Sequence, residues 1–205
     1  MLQNSLYFLA LCYLSLCMTS CSSSTEETQS INIYQDALTQ QLYQYQDQRQ
    51  TDSLIPYLSH KDAYYRAFAA QAFGSVQDSM AIKPLKILLD DTDSLVVRAA
   101  AYALGQIGHT QALHPLMAKA TDAKTDMETR FYLLEAIGKC ANDTALTFLS
   151  NYPIKDCPKG VASGLFRASN KKVVSGKGLT VATALTSSEF SEDTRILAST
   201  YLARI

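Results

Sequence analysis

The chain has 205 residues, with 18 Lys and Arg against 19 Asp and Glu, and a formal net charge of −1 at pH 7. The two signs are interspersed, so the sequence lacks the basic stripe that a phosphate backbone requires, and this argues against nucleic acid as a partner. Once a predicted leader is removed, the remaining residues suit a single domain.

Residues 1–20 are predicted to be a signal peptide. Leu6–Met18 is almost wholly apolar, but its thirteen residues are too few to cross about 30 Å of hydrocarbon as a permanent helix. Ser22–Ser30 contains no apolar residue, which favours a flexible polar tether over residues 21–31. The alternative is a buried N-terminal helix, against which this polar run argues.

The residues between the apolar stretch and the tether, Met18–Cys21 (Met-Thr-Ser-Cys), resemble the lipobox of bacterial lipoproteins. In that family the cysteine becomes the lipidated first residue of the mature protein. The resemblance implies a lipid on Cys21 and a location in the bacterial cell envelope, at the outer membrane or the periplasmic face.

The next segment, Ile33–Gln46, is predicted to be one amphipathic helix. Its apolar residues recur at steps of three and four, and its glutamines form a polar face. We expect this helix to cap the N-terminal end of a stack of repeats.

A block built around one arginine and one glycine then occurs three times. Gly74, Gly105 and Gly138 lie 31 and 33 residues apart, a period typical of stacked helical hairpins. The predicted first helices are Ser53–Ser59, Ala81–Leu89 and Ala112–Ala120, and the predicted second helices are Ala63–Phe73, Ser94–Leu104 and Met127–Ile137. The glycines are predicted to end the second helices or to allow close packing there.

After Asn142 the repeat pattern becomes looser. The predicted helices are Thr144–Asn151, Lys159–Ala168 and Val173–Leu185, and Thr194–Ile205 restores the motif. Leu202 and Ile205 then lie on the face meant for a neighbouring repeat. Either the last helix is its own imperfect cap, or the protein continues beyond Ile205; the second alternative is favoured.

The blocks resemble HEAT repeats of the short bacterial type. Val96–Gly108 is similar to the pattern Val-Arg, Ala-Ala, Ala-Leu-Gly and Ile-Gly of that family. The resemblance implies an all-α fold over residues 32–205, a right-handed α-solenoid of HEAT-like helical hairpins. It is informative about fold and not about function, because the matched residues are packing residues.

A narrower resemblance concerns certain large envelope lipoproteins. The lipobox, the glutamine-rich helix, Ala69–Ser79 and Ala99–Gly108 resemble the N-terminal region of lipoproteins that combine HEAT repeats with a cyclophilin-type peptidyl-prolyl isomerase domain. The sequence lacks the pattern of the isomerase domain, so no residue is assigned an isomerase role.

The sequence offers little for catalysis, metal binding or cofactors. None of His60, His109 and His114 is followed by glutamate, so we predict solvated or capping histidines and no metal site. Asp90–Asp93 is interpreted as a capping segment and not as a calcium loop. Ser175–Thr180 is interpreted as a flexible turn and not as a phosphate-binding loop. With no nucleophile near a His-Asp pair, we predict no catalytic residue and no cofactor.

The sequence leaves two alternatives open for the remaining cysteines and for the repeat arginines. Cys140 and Cys157 remain after signal removal and lipidation; they could form a disulfide in an oxidising compartment, but a free, buried thiol is favoured for Cys140. The repeat arginines could form a basic ladder, but we favour packed stems whose heads reach carboxylates or carbonyls between repeats. These arginines are Arg66, Arg98, Arg130 and Arg195.

A partner-binding surface is predicted on the second helices. Phe68, Tyr102 and Tyr132 would form an aromatic strip beside the polar Gln71 and Glu135. The alternative, that these rings are ordinary core, is slightly favoured. The function predicted is a non-catalytic protein-binding scaffold anchored by lipid. The alternative is the N-terminal adaptor part of a larger peptidyl-prolyl isomerase.

Overall fold

The computed structural model describes residues 36–205, and within them every regular element is helical. The α-helices are α1 Ala37–Asp47, α2 Thr51–Leu54, α3 Ala63–Val76, α4 Ile82–Ile87, α5 Ser94–Ile107, α6 Leu113–Thr121, α7 Met127–Lys139, α8 Asp143–Asn151, α9 Pro158–Ser169, α10 Gly176–Ala184 and α11 Glu192–Ala203. Short 3₁₀ segments extend α2, α4 and α6, and these are Ile55–Ser59, Ser79–Ala81, Leu88–Asp90 and Thr110–Ala112.

The helices form two layers. The long second helices α1, α3, α5, α7, α9 and α11 pack side by side in chain order, with the most extensive contacts between α3 and α5 and between α7 and α9. The shorter first helices cover one side of this layer. Fully buried side chains from both layers fill the space between them, among them Leu54, Phe73, Leu85, Leu104 and Leu133. One continuous core therefore runs through the stack, as expected when each hairpin buries its apolar face against its neighbours.

Local capping determines where the second helices begin. The carboxylates of Asp62, Asp93 and Asp126 accept hydrogen bonds from backbone amides in the first turns of α3, α5 and α7 at 2.8–2.9 Å. The Thr129 hydroxyl donates a further bond to Asp126, and both bonds hold the pKa of this carboxyl below its ordinary value. The capping role predicted for the aspartates of segment 90–93 is thus observed at Asp93.

The repeat glycines lie inside the second helices and do not end them. α3 continues past Gly74 to Val76 and is capped by Gln77 at φ 56°, and α5 continues past Gly105 to the left-handed Gly108 at φ 66°. The prediction that the glycines end the helices was wrong by two or three residues. The cause is that residues in the left-handed conformation, and not the repeat glycines, stop α3 and α5.

The alternative role of these glycines, close packing, is what the structure shows. A Cβ atom on Gly105 would lie 2.8 Å from Cα of Ala136 on α7, and one on Gly138 would lie 2.6 Å from Cα of Gly164 on α9. A Cβ atom on Gly74 would overlap the Tyr102 ring. Each glycine therefore leaves room for the following long helix, either for its backbone or for an aromatic ring that it carries.

The segment interpreted as a flexible turn, Ser175–Thr180, is instead the start of a helix. α10 begins at Gly176, and the Ser175 hydroxyl accepts a hydrogen bond from the Gly178 amide at 3.0 Å. A Cβ atom on Gly178 would lie 2.8 Å from the Tyr201 hydroxyl oxygen. The two glycines misled the sequence interpretation because one of them is required by packing against α11 and not by a turn.

Two of the repeat arginines, Arg66 and Arg130, bind groups in the inter-helix loops. The Arg66 guanidinium donates to both carboxylate oxygens of Asp91 in the next repeat, at 2.7 and 2.9 Å, and to the carbonyls of His60 and Lys61. Arg130 donates to the Asp122 carbonyl at 3.1 Å. For these two arginines the favoured interpretation, packed stems with heads bound between elements, is confirmed.

The N-terminal predictions are only partly covered by the described residues. The capping helix expected over Ile33–Gln46 is observed as α1, Ala37–Asp47, whereas residues 33–35, the signal peptide, Cys21 and the tether lie outside the described range. No helix in residues 36–205 is long and apolar enough to cross a membrane.

Candidate protein-binding surface

A cleft of about 540 Å³ opens on the layer of second helices. Only α3, α5 and α7 contribute to it. Its walls are formed by Tyr64, Ala67, Phe68, Gln71, Leu95, Arg98, Ala99, Tyr102, Glu128 and Tyr132. Because one face of each helix lines the opening, side chains three and four residues apart share this surface. The cleft brings four of the five predicted partner-binding residues together: Phe68, Gln71, Tyr102 and Tyr132.

A second hollow of about 340 Å³ continues the cleft toward the N-terminal end. It shares Tyr64, Phe68, Gln71 and Tyr102 with the first and adds Tyr43 and other residues of α1 and α3. The Tyr43 and Phe68 rings meet edge to face with centroids 4.7 Å apart, and Tyr43 is 46% exposed. The two hollows therefore form one groove across α1, α3, α5 and α7, which we call the aromatic groove.

Tyr102 is held at the centre of the aromatic groove by contacts on two sides. Its ring occupies the space that a side chain at Gly74 would fill, so the repeat glycine of α3 forms its seat. The Lys139 ammonium nitrogen lies 5.1 Å from the ring centroid on the other side, a favourable cation–π distance. This arrangement fixes the ring orientation before any ligand binds.

The only ion pair among the residues that line the cleft joins Arg98 of α5 to Glu128 of α7. The Arg98 side chain is 16% exposed and also donates to the Ser94 carbonyl, whereas Glu128 is 67% exposed. Since the two charges neutralise each other, the remaining cleft lining is uncharged and largely aromatic.

Glu135 does not line the aromatic groove. Its carboxylate accepts from Lys139 at 2.9 Å and from Arg167 of α9 at 3.0 Å, and the side chain is only 14% exposed. It faces the other end of the second helices, one turn beyond Tyr132. The sequence placed it on the same face as Tyr132, but Lys139 of the same helix and Arg167 of the next repeat bind it away from the groove.

The predicted rings are intermediate between core and surface. Phe68, Tyr102 and Tyr132 are each half-buried and line the groove. Phe68 and Tyr132 also pack against the core, and the Tyr102 ring packs against Gly74. Sequence reasoning missed Tyr64 and Leu95, which line the same cleft. Tyr64 could have been found, because it lies four residues before Phe68 and therefore on the same helix face. Leu95 follows the Asp93 cap and is 61% exposed, which no periodicity indicates.

The other polar residues considered for chemistry have structural partners. The Nδ1 atoms of His60 and His109 accept hydrogen bonds from the amides of Asp62 and Gln111, at 3.0 and 3.2 Å. His114 is exposed. Across residues 36–205, no three or more His, Cys, Asp or Glu side chains are placed to hold a metal ion.

Cys140 and Cys157 are free and buried in the structure. Burial raises the pKa of the Cys140 thiol to about 11, and burial also raises the pKa of Cys157. A thiol with a raised pKa is a poor nucleophile at neutral pH, because the thiolate is the reactive form. These residues therefore serve as small apolar side chains in the core.

Comparison with known proteins supports the repeat architecture. Residues 51–138 match the family model described as HEAT repeats. A designed armadillo repeat protein is similar in structure, with a TM-score of 0.51, 17% identity, and coverage of 80% of this chain and 86% of that chain. A second engineered protein is similar with a TM-score of 0.51, 20% identity, and coverage of 83% and 93%. No curated protein matches the sequence.

These similarities and the stacked hairpins lead to one structural conclusion. The protein is an α-solenoid of stacked helical hairpins, similar to HEAT and armadillo repeat proteins. The all-α solenoid predicted from the repeat period is therefore confirmed. At these identities the similar structures show the fold alone, so the function must be argued from the surface.

Proposed function

We propose that this protein is a non-catalytic binding scaffold that holds an extended segment of a partner protein in the aromatic groove. The observation that carries this proposal is the continuity of the groove across α1, α3, α5 and α7, lined by rings that are only half-buried. Repeat proteins use such extended surfaces of stacked helices to bind partners.

The dimensions of the groove suit an extended peptide. Neighbouring helices pack at about 8–10 Å, so four second helices span roughly 27 Å. An extended chain rises about 3.4 Å per residue, and the groove would accommodate about eight residues. A segment of this length needs no folded domain on the partner.

The groove also has the composition of an interaction surface. Half-buried aromatic side chains add large apolar contact area at a small cost in side-chain entropy, and such residues dominate binding energies at interfaces. Gln71 is exposed at the edge, and its amide group can both donate to and accept from a peptide backbone.

The groove is tested by removing its rings. Replacing Phe68, Tyr102 and Tyr132 together by alanine is expected to weaken binding of peptides selected on the wild-type chain from a random display library at least about 100-fold, since anchor residues contribute about 2 kcal/mol or more each. Affinity is measured by fluorescence anisotropy, and circular dichroism checks that helicity is retained.

A matched control lies on the opposite layer. Ile87 is 69% exposed on α4, away from the groove, and its replacement by alanine should leave peptide affinity unchanged. If the triple variant remains helical and binds the selected peptides as tightly as the wild type, the groove is not the binding surface.

We further propose that the scaffold is held in the bacterial envelope by a lipid on Cys21, and that it acts either alone or as the adaptor part of a larger foldase. The basis is the apolar stretch, the Met18–Cys21 motif and the polar run after it. The intact mass of the native membrane-extracted protein tests both points. If the chain acts alone, the mass is that of residues 21–205 plus acyl groups, and in either case the acyl mass should be lost in Cys21→Ser.

A different mass would change this proposal. The unprocessed mass, without acyl groups, would contradict lipidation. A mass tens of kilodaltons larger would favour the adaptor role, with a catalytic domain carried elsewhere in the protein.

A further inference from the structure

A third hollow, of about 280 Å³, lies where the C-terminal ends of α5, α7 and α9 meet. Three cationic side chains line it: Lys139, Arg167 and Lys171. The other lining residues are Gly105, Gln106, Ile107, Gly108 and Asn170, none of which carries a charge. We call this hollow the basic pocket.

The carboxylate of Glu135 neutralises the basic pocket only in part. It forms ion pairs with both Lys139 and Arg167, and Arg167 donates hydrogen bonds to it from two nitrogen atoms at 3.0 and 3.1 Å. Lys171 makes no ion pair within the described residues, and its ammonium lies 3.5 Å from the Gly108 carbonyl oxygen. With three cations and one carboxylate, the pocket keeps a net positive charge.

The basic pocket adjoins the aromatic groove. Lys139 links the two, because it lines the pocket while its ammonium lies 5.1 Å from the centroid of the Tyr102 ring, which lines the groove. Gly105 and Gln106 continue the same helix face within about one turn of Tyr102. A peptide that leaves the groove at Tyr102 therefore meets the cations directly.

From this juxtaposition we infer that the partner segment carries an Asp or Glu side chain that binds in the basic pocket, close to an apolar or aromatic residue that binds over Tyr102. This inference rests on the function proposed above. Since about 3.4 Å separates successive residues of an extended chain, the acidic residue lies within about three residues of the one over Tyr102. The ligand is thus a peptide segment with an acidic residue close to an apolar or aromatic one.

The physical basis is charge complementarity in a partly desolvated site. The Lys139 side chain is 15% exposed, so its attraction for a carboxylate is poorly screened by water. Hydrogen bonds from ammonium and guanidinium groups to a carboxylate are about twice as strong as neutral ones. The uncharged groove supplies contact area, and the pocket supplies selectivity for charge.

These cations have a second role that the experiment must separate. Lys139 and Arg167 lie in the last turns of α7 and α9, where positive charge complements the helix dipole and stabilises the helix. If that were their only role, neutralising them would lower stability and would leave peptide selectivity unchanged.

The test uses the full chain and a random peptide display library. We expect the wild type to enrich peptides with an acidic residue near an aromatic one. The most enriched peptide and its counterpart with Asp→Asn or Glu→Gln are then synthesised. The neutral counterpart should bind the wild type about tenfold more weakly. The Arg167→Gln, Lys171→Gln double variant should bind both peptides equally, because its remaining cation, Lys139, is paired with Glu135 and the pocket keeps no net charge.

The control neutralises an exposed lysine outside the pocket. Lys83→Gln on α4 should retain the full preference for the acidic peptide. Enrichment that depends on the groove rings but shows no acidic bias would overturn this inference and leave the proposed function intact. An equal loss for the neutral peptide in the double variant would overturn it as well. If the library shows no enrichment that depends on the groove rings, the proposed function itself is overturned.

Discussion

Replacing Gly138 by alanine is expected to lower the free energy of unfolding by about 3 kcal/mol. The added Cβ would lie 2.6 Å from Cα of Gly164 and closer still to its carbonyl oxygen, so the backbones of α7 and α9 must separate. These two helices share one of the most extensive contacts in the stack, and a rigid helix backbone cannot yield locally. Alanine gains about 1 kcal/mol in helix propensity, which the collision outweighs. Urea unfolding followed by circular dichroism measures the loss.

The same substitution at Gly176 is the matched control. A Cβ atom there meets nothing within 4 Å, and the residue is the first of α10. We therefore expect Gly176→Ala to leave stability unchanged or to raise it by a few tenths of a kcal/mol. Equal stabilities of the two variants would contradict the helix contact through Gly138.

Replacing Asp91 by asparagine is expected to destabilise the protein by about 2 kcal/mol, because a charge-assisted pair is lost. The Asp91 side chain is 9% exposed and Arg66 is 16% exposed, and their two hydrogen bonds join neighbouring repeats. Arg66 keeps its bonds to the carbonyls of His60 and Lys61, so the loss is smaller than for a fully isolated charge.

The pH dependence of this variant has a definite sign. The hydrogen bonds from Arg66 hold the pKa of Asp91 below its ordinary value of 3.8, and Arg66, whose own pKa is raised, stays protonated. The stabilisation by Asp91 is thus complete above pH 3.8 and is lost as the pH falls through the lower folded-state pKa. We expect the stability difference between wild type and Asp91→Asn to be constant at neutral pH and to shrink under acid.

The preceding residue provides the control for this pair. Asp90 is 86% exposed and lies 3.4 Å from Lys119, a surface pair that contributes little. Asp90→Asn should therefore change stability by less than about 0.5 kcal/mol at any pH. A loss as large as that of Asp91→Asn would show that general acidity of the loop, and not the Arg66 pair, is responsible.

The helices were predictable from local sequence because each carries its own signals. The second helices begin at capping aspartates, and their apolar residues recur with the helical period. Both signals lie within a few residues of each other in the sequence. The exact ends were not predictable, since Gln77, an unusual left-handed residue, caps α3. The helix predicted over Val173–Leu185 is observed as Gly176–Ala184, but its first turn was taken for a flexible turn, because the packing of Gly178 against a distant helix leaves no local signal.

The groove was predictable in part. Phe68 and Tyr132 lie six residues before their repeat glycines and Tyr102 lies three before its own, positions that share one helix face, so the period and the helix spacing together placed them on one surface. Glu135 and Leu95 show the limit of this reasoning. Which way a half-exposed side chain turns depends on the long basic residues or loops of the next repeat, and no pattern within one helix records them.

The sequence by itself determined the fold class, the order of the hairpins and the aromatic face of the second helices, because a repeat that cannot bury its own apolar side must stack. Only the tertiary structure decided what each repeat glycine does, where Tyr102 is seated and how Lys139, Arg167 and Lys171 converge beside it. Those features arise from contacts between residues about thirty positions apart, whose distances depend on how closely successive helices approach.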